Sequence, residues 1–91
     1  MRIDPRGAHQ HSSNHREEVL NSDLCGCFYC LKTFKPSKII EWCDFYKDAI
    51  GEEEYGHTAL CPYCGIDSVI GSKSGYPIAS DFLGSMNKLW F

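Results

Sequence analysis

The sequence predicts a small α+β domain, with short β-hairpins and two or three packed helices. Three observations carry that expectation. The chain has 91 residues, a length that makes one hydrophobic core rather than two. Two cysteine pairs, "CFYC" at 27–30 and "CPYCG" at 61–65, each mark a tight turn between extended segments. The C-terminal "SDFLGSMNKLWF" repeats its apolar residues at helical intervals.

The elements follow in chain order. Residues 1–12 hold Pro5, Gly7 and polar side chains without apolar periodicity, and read as a flexible N-terminal arm. The folded domain is then expected over 13–91. His9, His11 and His15 lie close in sequence; they suit either a metal-binding tail or a solvated polar arm. A short helix is expected from Ser13 to Leu20, with Ser13 as its cap. "LCGCFYCLKTF" is apolar, aromatic and β-branched, which suits a turn with extended flanks.

"KPSKIIEWCDFYKDAIG" predicts the first long helix. Ser37 would cap it, and Ile40, Trp42, Cys43, Tyr46 and Ile50 would form its apolar face. Gly51 is its expected stop. "EEEYGH" follows as an exposed acidic loop. "TALCPYCGIDSVIG" reads as strand, tight turn, strand, with Thr58–Leu60 leading in and Ile66–Ile70 leading out. "SKSGY" is a further turn. In the last helix Ser80 is the expected cap, and Phe82, Leu83, Met86, Leu89 and Trp90 make one stripe facing the core.

Composition narrows the class. Hydrophobic residues at 43% and charged residues at 23% are those of a globular domain rather than a disordered chain. No apolar run approaches the roughly 18 residues of a membrane span, and the N-terminus lacks a secretory hydrophobic region. A cytoplasmic location is therefore expected, where thiols stay reduced. Six cysteines in such a compartment point to a metal rather than to disulfides.

Two C-x-x-C turns can present four sulfurs to one tetrahedral ion, at about 2.3 Å per Zn–S bond. Pro62 presets the second turn, and Gly65 suits the left-handed residue that follows it. "CFYCL" is a poorer copy, with Leu31 where glycine is easiest. The expected ligands of a structural Zn(2+) are Cys27, Cys30, Cys61 and Cys64, in a zinc-ribbon-like fold. A thioredoxin-type redox pair, structural disulfides and unliganded buried cysteines are the competing readings. Cys25 reads as a neighbour that tunes nothing, an alternative ligand or an exchange thiol, Cys43 as a small core residue, and His57 as a surface histidine or a fourth ligand. Because such an ion contributes on the order of 10–16 kcal/mol in small peptides, its loss should unfold a domain of this size. A closed four-sulfur shell leaves no open position for substrate, which argues for structure over hydrolysis.

The segments "GCFYCLKTFKPSKIIEW" and "TALCPYCGIDSVIGSKSGYPI", with the final "LWF", resemble a group of small bacterial cytoplasmic proteins of zinc-ribbon or treble-clef type. The resemblance spans residues 24–91. It implies a bacterial, cytoplasmic, metal-stabilised domain and brings no activity. Relative to that group "DFYKDAIGEEEYGH" is an elongation.

No catalytic set is evident. Asp67 and Ser68 follow the second turn without a partner in any motif, and "GSKSG" lacks the spacing of a phosphate loop. The formal charge of −3 lowers the expectation of general nucleic-acid binding, although Lys32, Lys35 and Lys38 form a basic run around Phe34. Residues 41–54 hold six carboxylates against Lys47 alone, beside Trp42, Phe45, Tyr46 and Tyr55. This acidic–aromatic stretch, Glu41–Tyr55, suits a basic protein partner. The expected function is thus a non-enzymatic protein-interaction module, an immunity protein or inhibitor being one version, as a monomer or small homo-oligomer. The rivals are a nucleic-acid-binding zinc ribbon and a thiol or zinc-responsive switch using Cys25.

Overall fold

A computed structural model describes residues 5–44 and 56–91. Strand β1, Cys25–Cys27, lies at the centre of a three-stranded antiparallel sheet between β2, Thr33–Phe34, and β5, Val69–Gly71. Strands β3, Trp42–Cys43, and β4, Thr58–Ala59, form a second, two-stranded sheet. Helices α1, Pro5–Ala8, α2, Arg16–Leu20, and α3, Ser80–Trp90, pack around them. The architecture is α+β and zinc-ribbon-like, as expected.

The register of the large sheet explains the layering. Cys25 stands opposite both Phe34 and Gly71, Gly26 opposite Thr33 and Ile70, and Cys27 opposite Val69. Alternate residues face opposite sides. Cys25, Cys27, Phe34 and Val69 therefore join Val19, Ile39, Ala59 and Cys61 in one buried cluster. Ile70 faces the other way, with Leu83, Met86, Phe28 and Ala8. Helix α3 crosses that side directly over Gly26: a methyl group there would stand 2.8 Å from Leu83 Cδ1. Glycine at this position admits the helix, which is why both faces of β1 are buried.

Several expectations change. Over 5–12 the free arm is replaced by α1 and a 3-10 turn, His9–Ser12, with Ala8 and Ser12 buried. Ala8 is small enough to seat against Leu83 and Met86. Helix α2 starts at Arg16 rather than Ser13, with no side-chain cap, because Asn14 takes a left-handed turn at φ 51°. In the last helix Leu83 and Met86 are sealed but Leu89 and Trp90 remain half-exposed; the core ends before the stripe does.

The long helix expected from Ser37 is absent over 37–44. Pro36–Lys38 is a single 3-10 turn, Ile39 is extended, and Ile40 points outward. Trp42 and Cys43 instead pair with Ala59 and Thr58. Asp44, at φ 61°, is incompatible with a continuing helix. Cross-strand pairing has overridden a helical pattern made largely of β-formers. Residues 45–50 of that expectation, Gly51 and most of the acidic loop lie outside the described residues. The two limbs of "TALCPYCGIDSVIG" are extended, but β4 and β5 belong to different sheets. The second cysteine turn thus joins the sheets rather than closing a hairpin.

Candidate metal centre

Each cysteine pair sits on a tight turn of the same construction. In the first, Leu31 N–H donates to Cys27 O at 2.8 Å and Cys27 N–H donates to Lys32 O at 3.0 Å. In the second, Gly65 N–H donates to Cys61 O at 2.9 Å and Cys61 N–H to Ile66 O at 3.0 Å. Backbone amides also point at sulfur: Tyr29 N–H lies 3.3 Å from Cys27 Sγ, and Tyr63 N–H 3.4 Å from Cys61 Sγ. Such amides spread thiolate charge and orient the sulfurs.

The two turns face each other. Cys27 Sγ lies 3.6 Å from Cys64 Sγ, Cys30 Sγ 3.7 Å from Cys61 Sγ, and all four sulfurs fall within 4.8 Å of one another. A disulfide would need about 2.0 Å; all six cysteines are free. A tetrahedron with bonds of about 2.3 Å has edges of about 3.8 Å, close to the spacings observed. The four cysteines are positioned to bind one metal ion.

Electrostatics point the same way. Burial works to raise the Cys61 thiol, yet the amides of Tyr63 and Cys64 and the neighbouring thiols of Cys64 and Cys30 hold it below the ordinary value. Burial, with added bonds to Cys27 and Cys61, pushes Cys64 up to about 12, and burial likewise raises Cys30. Within the cluster the thiolate form is favoured at Cys61 and disfavoured at Cys30 and Cys64. A divalent cation bound to such a cluster would displace the remaining protons.

Ser68, which the sequence places in no motif, is a contributor. Its hydroxyl lies 3.0 Å from Cys27 Sγ, and its carbonyl accepts from Phe28 N–H at 3.0 Å. The residue is buried, and a hydroxyl there supplies a donor that a coordinated thiolate needs. The only sequence signal was a serine at the start of an apolar strand.

The other candidates stay outside the cluster. Cys25 is sealed in the core and burial pushes it up to about 11, which disfavours both ligation and thiol exchange. Cys43 is half-buried on β3, its thiol raised by burial and by the nearby Asp44 and Asp67 carboxylates. His57 serves through its backbone: its N–H reaches Cys43 O at 2.9 Å and its carbonyl accepts from His15 N–H at 2.8 Å.

The three N-terminal histidines do not converge. His9 packs on Trp90 with ring centroids 4.1 Å apart, and His11 meets Glu18 at 3.0 Å. His15 is buried, donating through Nδ1 to His11 O and accepting at Nε2 from Ala59 N–H at 3.0 Å. That pairing specifies the neutral ring, and burial lowers its pKa.

Among the described residues no helix is long and apolar enough to cross a membrane. Comparison of the chain with protein-family models, with curated proteins and with solved structures finds no match.

Proposed function

We propose that this protein is a non-enzymatic recognition module of the cytoplasm, built on a structural zinc site formed by Cys27, Cys30, Cys61 and Cys64. The convergence of four sulfurs at tetrahedral spacing carries the reading. Zinc suits a four-thiolate tetrahedron better than the oxygen-seeking cations do. With all four positions taken by sulfur, the ion organises the fold and leaves recognition to the surface. Metal analysis and melting test this: one zinc per chain and loss of cooperative melting on chelation are expected. A metal-free preparation that melts sharply and ignores chelator would sink it.

The partner expected first is a basic protein surface, met by the acidic–aromatic stretch from Glu41. Glu41 and Asp44 are exposed, while Trp42 lies half-buried under the Arg16 guanidinium at 4.5 Å; residues 45–55 are outside the described set. Changing Glu52, Glu53 and Glu54 to lysine should weaken capture of a basic partner, and unaltered capture would count against it.

A second reading, nucleic-acid binding, is favoured by a specific observation. Residues 24–40 contain Lys32, Lys35 and Lys38, all exposed, and no carboxylate. The third reading, a switch through Cys25, is opposed by the burial of that thiol.

A further inference from the structure

We propose that the tips of the two cysteine turns form a stacking platform for single-stranded nucleic acid. Tyr29 and Tyr63 supply the rings, and Lys32 and Lys35 the phosphate contacts. The proposal rests on the nucleic-acid reading above and names the groups that would carry it.

The tyrosines occupy equivalent places. Each is the third residue of its C-x-x-C turn, and each turn has the same hydrogen-bonded frame. The residue before it turns inward, Phe28 fully and Pro62 in part, whereas Tyr29 is 47% and Tyr63 54% exposed. A ring wanted for the core would follow Phe28. Two large rings are instead held outward on backbone whose sulfurs share one site.

Both rings are held in place. Tyr29 O accepts from Asn87 Nδ2 at 3.0 Å, and its ring meets Phe91 edge-on at 4.8 Å. Tyr63 is tilted against Phe34 at 6.0 Å, with Lys32 Nζ 4.7 Å from its ring centre. Lys32 belongs to the first turn and Tyr63 to the second, so this contact links the two turns. Outward aromatic rings interleaved with lysines suit unpaired bases, because every base offers a π-face and every linkage a negative charge.

An acidic peptide would meet the same charge but finds less to anchor it. Peptide anchors need a pocket, and the cavity beside Tyr63, lined in part by Ile40, Leu60 and Pro62, holds about 120 Å³ and carries Glu41. That carboxylate limits the platform at this end and would repel phosphates and acidic side chains alike.

The test uses the metal-loaded protein with labelled oligo(U), oligo(dT) and oligoglutamate, read by fluorescence anisotropy across a salt series. Both oligonucleotides should bind, with log affinity falling against log salt at a slope of about −1 to −2 for two phosphate contacts. Tyr29→Leu and Tyr63→Leu, each checked for unchanged metal content and melting, should weaken binding about tenfold apiece. Lys32→Ala with Lys35→Ala should flatten the salt slope. Binding that survives both leucine variants overturns the platform while leaving the nucleic-acid reading in place. No oligonucleotide binding at low salt overturns both, and tighter binding of oligoglutamate assigns the face to an acidic protein instead.

Discussion

Leu31 and Gly65 hold the same position in the two cysteine turns, at φ 66° and 77°, each closing its turn onto the carbonyl of the first cysteine. A leucine in that conformation costs roughly 1–2 kcal/mol, against which glycine gives back part through its unfolded-state entropy. Leu31→Gly relieves that strain but gives up the burial of a side chain that is only 37% exposed, so it should leave stability within about 1 kcal/mol of the parent. Gly65→Ala, with open space around the new methyl, should destabilise by about 1 kcal/mol through strain alone. Denaturant midpoints of the metal-loaded variants check both.

The cysteines divide by role. Cys61→Ser should remove the metal and cooperative unfolding together, because the ion's contribution rivals the whole stability of such a domain. Cys25→Ser buries a hydroxyl in an apolar site at a cost of about 1–3 kcal/mol yet should retain one metal per chain. Elemental analysis beside thermal melting distinguishes the two.

Ser68→Ala should leave the fold intact and weaken metal affinity about tenfold, by removing the donor at 3.0 Å from Cys27 Sγ. Competition against a chromophoric chelator measures it. Unchanged affinity would show that the backbone amides suffice.

His15 makes stability pH-dependent. Burial depresses its folded-state pKa, with Glu18 and the His11 carbonyl opposing and the His11 ring adding to the effect. As pH falls through about 6.5 the unfolded chain takes up the proton first, so stability is lost toward acid and fully present above neutrality. His15→Gln should be less stable at pH 7.5, and its deficit should narrow by pH 5.5. A deficit constant over that range would remove His15 from the account.

Two glycines should respond oppositely to alanine. At Gly56 the new methyl would meet Cys43 O at 2.5 Å and Cys43 N at 2.9 Å; both are backbone atoms beside the β3–β4 ladder. Gly56→Ala should cost more than about 2 kcal/mol. Gly84 lies within α3 with nothing near its methyl position, and Gly84→Ala should gain about 0.5–1 kcal/mol from helix propensity. Urea unfolding of the pair reads both effects.

The parts legible in sequence were those specified locally. Turn chemistry at Pro62 and Gly65, and the spacing of each cysteine pair, identify the four residues whose sulfurs the structure gathers. The buried turns of α3 follow from Leu83 and Met86, but its N-cap is Ala79, without a side-chain bond, rather than the expected Ser80. The segment from Ser37 was misread because its outcome depends on Ala59 and Thr58, which lie more than a dozen residues beyond Trp42 and Cys43. The N-terminal segment hid its burial in polar residues: His15 enters the core because both ring nitrogens find partners, a fact no composition reveals. Leu31 shows the same limit, since a metal-binding turn can impose a backbone shape that its residue disfavours.

The second turn connects the two sheets, with β4 in one and β5 in the other, and this bears on biosynthesis. A nascent chain that has emerged only through Asp44 carries two of the four clustered sulfurs, Cys27 and Cys30, and a central strand lacking one neighbour. The four-sulfur cluster can assemble only once Cys64 has emerged, and the sheet closes only with Val69–Gly71. Until that moment the early cysteines are open to oxidation or to the wrong cation, so the chain's maturation is governed by its last third.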